Sequence, residues 1–219
     1  MTTWMDRPPE AAVGRWGWTA SCVAISPNCV ITTRHQSGEV GTWVEIGGNR
    51  YIVKEIYNHT TADLRIAKLY AANLTQFVDI YENDNEINKE IIMGGFGDGR
   101  GSLLKTDDIT YGYQWDNSSN IVQRWATNRV EDTVIVDVNS NGHTYTSEAL
   151  VADFDGLNEG HSTEYEGAIA DHDSGSGWFI KSDGNWKLAA ISCAVERRDE
   201  SWFRNKDNPN QPDPDKLYG

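Results

Sequence analysis

Three stretches of the chain carry side chains that could perform acyl transfer together. Asp171-His172-Asp173-Ser174-Gly175-Ser176-Gly177 sets a serine between an acid and small residues, directly before the apolar run Trp178-Phe179-Ile180. Such a turn exposes a hydroxyl and leaves room for a carbonyl beside it, although Asp-Ser-Gly also makes an ordinary turn before a strand. A serine hydroxyl needs a base to become a useful nucleophile. Upstream, Val30-Ile31-Thr32-Thr33-Arg34-His35 is a β-branched run that ends in an imidazole. Thr61-Ala62-Asp63-Leu64-Arg65-Ile66-Ala67-Lys68-Leu69 places a carboxylate at the head of another such run. Base, orienting acid and nucleophile are thus all present, in the order His35, Asp63, Ser174.

The elements that would position them are short and β-prone. Cys22-Val23-Ala24-Ile25 and Cys29-Val30-Ile31-Thr32-Thr33 flank Ser26-Pro27-Asn28, which marks a hairpin and puts His35 at a strand exit. Further strands are expected at 43–46, 51–57, 64–69, 109–113, 121–126, 133–138, 149–154, 177–180 and 186–195. Regular short strands with little helix predict an all-β sandwich or barrel. Residues 1–14 read as an arm, and 71–87, with the acidic cluster Tyr81 to Glu86, as a crossing between two halves. The last residues, rich in charge and containing Pro209, Pro212 and Pro214, read as an extended, mobile tail.

At 219 residues the chain is long enough for one large domain or two packed subdomains. Its 19 Lys and Arg against 33 Asp and Glu give a formal charge of −14, which opposes nucleic acid and anionic membranes as partners. Apolar runs are only a few residues long, far short of the roughly 20 that a spanning helix needs. Met1 to Asp6 lacks a charged-then-apolar signal pattern. Three cysteines, Cys22, Cys29 and Cys193, permit at most one disulfide and have no metal-ligand spacing, so they read as buried thiols.

Taken together, the motifs resemble those of the chymotrypsin-like serine proteases. Thr32-Thr33-Arg34-His35 is similar to that family's Thr-Ala-Ala-His, and Ala62-Asp63-Leu64-Arg65-Ile66-Ala67-Lys68-Leu69 to its Asp-Ile-Ala-Leu-Leu-Lys-Leu. His172-Asp173-Ser174-Gly175-Ser176-Gly177 is similar to its Gly-Asp-Ser-Gly-Gly-Pro, and Gly95-Phe96-Gly97 to the glycine-aromatic-glycine signal that opens its second barrel. The few cysteines favour bacterial members. The resemblance implies two packed six-stranded antiparallel barrels, with His35 and Asp63 in the first (residues 1–85), Ser174 in the second (86–200) and a tail at 201–219. It implies a serine endopeptidase with catalytic His35, Asp63 and Ser174, working without metal or cofactor on a protein or peptide substrate. A monomeric, secreted or periplasmic protein is expected.

The backbone N–H groups of His172 and Ser174 are then the expected oxyanion donors. His172 replaces a family glycine at a position whose backbone favours glycine, which keeps open an impaired, protease-shaped binding module. Asp173 corresponds to a family acid that forms a buried ion pair with a freed amino terminus. Here Ala12-Val13-Gly14-Arg15-Trp16 stands in place of that terminus, making Arg15 a candidate counter-cation. By register, Ala168 and Ile169 fall at the floor of the substrate pocket and Ser192, Cys193 and Ala194 on its wall. An apolar or small side chain before the cleaved bond is expected, with Asp171, Glu164 and Glu166 keeping a basic preference open.

Two other patterns compete. Asp137-Val138-Asn139-Ser140-Asn141-Gly142 with Glu148 has the spacing of an EF-hand calcium loop, yet the β-prone flank Thr133 to Val136 favours a hairpin turn over Asn139 to Gly142. Nine tryptophans on an acidic chain would also suit a glycan-binding β module, the weakest of the readings.

Overall fold

A computed structural model describes residues 6–117 and 121–219. The first half is a closed antiparallel barrel of six strands: β1 (Val13–Trp16), β2 (Ala20–Ser26), β3 (Cys29–Thr32), β4 (Trp43–Ile46), β5 (Asn49–Asn58) and β6 (Arg65–Leu69). The ladder runs β1-β2-β3-β6-β5-β4 and closes where β4 returns to β1. Closure requires β1 to press against β4 at Gly14, where a Cβ would meet the Glu45 carbonyl at 2.6 Å. The alternating inward residues, among them Trp16, Cys22, Val30, Val44, Val53 and Leu69, fill the interior. The expected β2–β3 hairpin forms, with Ser26 Oγ accepting the Cys29 N–H at 3.0 Å. Strand β1, preceded by a single 3₁₀ turn at Glu10–Ala12, begins inside the stretch read from sequence as an arm.

The second half surrounds another core with three sheets. Strands β7 (Asp79–Ile80), β8 (Glu90–Gly95), β9 (Arg100–Thr106), β10 (Ile109–Trp115), β11 (Arg124–Arg129), β12 (Asp132–Ser140) and β13 (His143–Asp153) precede the serine segment. β14 (Gly177–Ser182), β15 (Asn185–Ile191), β16 (Ala194–Val195), β17 (Glu200–Trp202) and β18 (Lys216–Tyr218) follow it. The sheet orders are β17-β10-β9, β11-β8-β14-β15-β7 and β12-β13-β18-β16. Ile91, Met93, Val130, Trp178, Ile180 and Leu217 lie in the core between them. A third apolar cluster, including Val13, Val23, Ile31, Phe179, Leu188 and Ile191, joins the barrel to β14 and β15.

Four expectations are corrected. Residues 201–219 are no mobile tail: β17 pairs with β10, β18 pairs with β13 and β16, and Leu217 is 1% exposed. The prolines occupy the loop before β18, and the alternation Lys216-Leu217-Tyr218 then supplies a strand with one buried residue. The crossing region contributes β7, which pairs parallel to β15, so the sheets are not purely antiparallel. The strand expected at 121–126 starts three residues later, leaving Ile121 and Val122 exposed. Asp137 and Glu148 face each other's neighbours across the β12–β13 ladder, opposite Thr146 and Ile135, so the calcium-like spacing is hairpin backbone. Its turn is Asn141-Gly142, both at positive φ, one residue later than expected.

If β18 is part of the core, Leu217→Ala lowers the unfolding free energy by about 2–5 kcal/mol. A urea midpoint unchanged from the parent would show that the C-terminal strand contributes nothing.

Candidate active site

The β3–β6 pairing sets the first two groups side by side. Thr32 pairs with Arg65, so the chain leaving β3 toward His35 and the chain entering β6 from Asp63 meet at one rim of the barrel. Asp63 is 3% exposed and gathers three donors. Its Oδ1 accepts the Arg34 and His35 N–H groups at 2.8 and 2.7 Å, and its Oδ2 lies 2.5 Å from His35 Nδ1. A carboxylate only accepts, so this contact puts the hydrogen on Nδ1 and leaves the Nε2 lone pair free for a donor. Ser174 Oγ is 2.8 Å from Nε2. The structure therefore brings His35, Asp63 and Ser174 into one hydrogen-bonded chain.

Two further partners carry no sequence signature. Ser147 of β13 accepts the Asp63 N–H at 2.9 Å, reaching from the second half of the chain to the first. The side-chain nitrogen of Gln36 lies 3.0 Å from His35 Nε2. Neither belongs to a recognisable motif, because their roles depend on which strands become neighbours.

The serine segment is fixed against the barrel by its backbone. Ser21 N–H donates to the Ser174 carbonyl at 2.9 Å, and Gly175 N–H to the Ser192 carbonyl at 2.8 Å. Gly175 has φ +82°, and a Cβ there would sit 2.3 Å from Thr32 Oγ1 and 2.4 Å from the Ser21 carbonyl. Only glycine fits, which explains the small residue after the serine. His172 occupies the left-handed region at φ +71°, the conformation a glycine takes readily. Its carbonyl accepts Ser21 Oγ at 3.0 Å, and its ring Nδ1 lies 3.3 Å from the Thr19 carbonyl. Among the described residues, neither the His172 nor the Ser174 N–H has a protein acceptor.

Asp173 does not pair with Arg15. That guanidinium stands in the barrel wall, 5.2 Å from the rings of both Trp18 and Trp43 and 3.7 Å from Glu45. Asp173 instead turns into the second half, where it accepts the Gly97 N–H at 2.8 Å and the Ala170 N–H at 3.0 Å. A Cβ at Gly95 or Gly97 would lie 2.3 or 2.0 Å from its carboxylate, so the glycine-aromatic-glycine signal makes room for this acid. Burial outweighs those two hydrogen bonds and the field of Arg124, pushing the Asp173 carboxyl up to about 6.

The predicted pocket residues separate. Ala168 and Ile169 line a cavity of about 820 Å³ behind the serine segment, with Trp115, Trp125, Phe154 and Phe203 among its walls. Ser192 is corrected to a buried support of the serine segment, because its Oγ is 2.7 Å from Ser176 Oγ and accepts Trp178 Nε1–H at 2.9 Å. Ser192 and Cys193 lie off this cavity, as does Ala194, which sits on β16. The Cys193 thiol is pushed up to about 12 by burial, with the charge of Asp63 adding to it. Among the described residues no three His, Cys, Asp or Glu side chains are grouped to hold a metal ion.

No family model matches the chain, and no curated protein is similar to it in sequence. Solved structures of one protease do match in shape. The active form of Rv3671c from M. tuberculosis superposes with a TM-score of 0.56 at 12% identity, covering 95% of this chain and 75% of that one. An inactive form of the same protease gives 0.55 at 12% identity over 87% and 81%. A serine-to-alanine variant from M. tuberculosis H37Rv, also inactive, gives 0.54 at 13% over 95% and 80%. This chain has the chymotrypsin-like fold. At such identity the likeness carries the architecture alone, and the chemistry has to be argued from the chain's own residues.

Three half-buried carboxyls in this fold give the protein a signed pH dependence. Glu166 is pushed up to about 7, Asp173 to about 6 and Asp153 to about 6, each chiefly by burial. The folded state therefore holds protons that the unfolded state has released between about pH 4 and 7, and stability falls as pH rises through that window. The urea midpoint is expected to be higher at pH 5.5 than at pH 8, with a shallower slope in Glu166→Gln. A midpoint that rises toward pH 8 would contradict the assignment.

Proposed function

We propose that the protein is a serine endopeptidase in which His35, Asp63 and Ser174 act as the catalytic triad. The observation that carries this reading is the hydrogen-bonded chain Asp63–His35–Ser174, assembled from both halves of the fold. Ser174 Oγ attacks the peptide carbonyl carbon while its proton passes to His35 Nε2, and the carbonyl oxygen takes up the negative charge. The backbone N–H groups of His172 and Ser174 supply hydrogen bonds to that oxyanion. The tetrahedral species collapses as the C–N bond breaks and His35 returns the proton to the leaving amine. Water then releases the acyl group from Ser174 by the same proton route in reverse. Asp63 keeps the ring oriented and stabilises the imidazolium throughout. No proton or electron in this sequence requires a metal or cofactor.

The substrate is a protein or peptide with an apolar or small residue before the cleaved bond, a preference supported by Ala168 and Ile169 in place of an acid. We take the protein to act as a monomer outside the cytoplasm, in keeping with the resemblance and the acidic charge. The impaired-site reading loses ground on His172. Its left-handed backbone is held through its carbonyl by Ser21 Oγ, its ring lies 3.3 Å from the Thr19 carbonyl, and its φ is one that a glycine takes readily.

Labelling with a fluorophosphonate probe, read by intact mass, tests the triad. One adduct is expected on the parent and none on Ser174→Ala or His35→Ala, with Asp63→Asn slowed by roughly 10⁴-fold. A folded parent that takes no adduct would defeat the proposal.

The same assay tests the oxyanion donors. His172→Gly is expected to label within a few-fold of the parent. His172→Val, whose β-branched side chain resists positive φ, is expected to lose roughly 100–1,000-fold. Equal rates for the two variants would remove the His172 N–H from the mechanism.

A further inference from the structure

The hydrogen-bonded chain at the site has a fourth member. His35 Nε2 is approached by two donors, Ser174 Oγ at 2.8 Å and the side-chain nitrogen of Gln36 at 3.0 Å. With the Nδ1 hydrogen committed to Asp63, a neutral imidazole offers a single lone pair at Nε2. Two donors on one lone pair share it, and each bond is weaker than it would be alone. We propose that Gln36 is a brake on proton transfer, its amide competing with Ser174 for His35 Nε2 until a bound substrate displaces it. The proposal rests on the catalytic reading given above.

Either orientation of the amide opposes the reaction. With its N–H toward Nε2, Gln36 occupies the lone pair that should receive the serine proton. Turned over, its Oε1 requires a hydrogen on Nε2, and a protonated Nε2 cannot act as the base. The contact is also easily broken. Gln36 is half-buried at the barrel rim, and among the described residues its side chain makes no other hydrogen bond. Displacing it costs about one hydrogen bond, which an arriving peptide can offset with contacts of its own. The proton balance of acylation is unchanged, since the amide neither gains nor loses a proton.

The groups around the ring define the pH behaviour. Asp63 faces Nδ1 from the head of β6, Cys193 lies behind Asp63, and Arg34 turns its guanidinium over Tyr145 of β13, 4.6 Å from that ring's centre. None of these touches Nε2, so a change at Gln36 is read there without compensation from a second charge.

The test compares the parent with Gln36→Ala and Gln36→Glu, using a small fluorophosphonate that fills no peptide subsites and NMR of the His35 ring protons. Gln36→Ala is expected to label about fivefold faster at pH 7, the equivalent of one net hydrogen bond of about 1 kcal/mol. With a cleavable peptide the gain falls on KM and leaves kcat unchanged, because bound substrate has already moved Gln36 aside. Gln36→Glu is expected to label more slowly at pH 7 and recover at higher pH, and to move the ring titration upward, because a carboxylate holds the proton on Nε2. Unchanged labelling and an unchanged ring titration in both variants would overturn the proposal, even if Gln36→Ala lowered thermal stability. Absence of labelling in every protein would instead count against the protease reading, and the ring titration of Gln36→Glu would still decide whether the amide contacts Nε2.

Discussion

The structure depends on how one buried charge is satisfied. Asp63 lies at 3% exposure and would be costly to bury alone, so the chain delivers three donors to it. Two are consecutive backbone N–H groups, of Arg34 and His35, and these require the exit of β3 to curl around the carboxylate. That curl places the His35 ring, and the remaining carboxylate oxygen then fixes its tautomer. The curl at the exit of β3 and the imidazole orientation therefore answer one electrostatic requirement.

A second constraint ties Ser174 to that imidazole. Ser21 on β2 is fully buried, and four hydrogen bonds meet at it. Its N–H donates to the Ser174 carbonyl, its Oγ donates to the His172 carbonyl and accepts the Phe96 N–H, and its own carbonyl accepts Thr32 Oγ1. One small residue, through its backbone and its hydroxyl, thus joins β3, the serine segment and the Gly95–Gly97 segment. The apolar cluster of Val23, Ile31, Phe179 and Leu188 seals the same seam. The site keeps its spacing because two halves meet through a polar hub inside an apolar seam, where each missing bond would leave a buried group unpaired.

What could be read from sequence follows from how local each feature is. The β2–β3 hairpin was legible because Ser26, Pro27 and Asn28 dictate a turn, and the pairing of His35 with Asp63 because each stands at the end of a strand-like run. The C-terminal strand was not. Pro209, Pro212 and Pro214 dominate its composition, while its stability comes from Leu217 entering a core built by distant strands. Arg15 was a candidate partner for Asp173 because its segment stands where the family's freed amino terminus would be, but Trp18, Trp43 and Glu45 surround it in the barrel wall instead. Ser192 read as a pocket wall for want of knowing that Ser176 and Trp178 would both take its hydroxyl. Gln36 and Ser147 carried no pattern at all.

Asp63 and Asp173 are treated differently by the fold. Asp63 meets two N–H groups and a ring nitrogen, whereas Asp173 meets only the N–H groups of Gly97 and Ala170. Among the described residues Asp173 forms no ion pair, and the field of Arg124 does not offset its burial, so its carboxyl is pushed up to about 6. The Gly97 contact also tethers the turn before Ser174 to the Gly95–Gly97 segment, beside the Asp98 N–H that donates to the Asp171 carbonyl at 2.9 Å. Charge-assisted hydrogen bonds weaken when the acceptor is neutralised. The His35 ring is thus anchored by a well-satisfied carboxylate and the turn bearing the His172 N–H by an under-satisfied one. Neutralising Asp173 near pH 6 therefore weakens its contact with the Gly97 N–H and leaves the separate Asp63–His35 contact as it is.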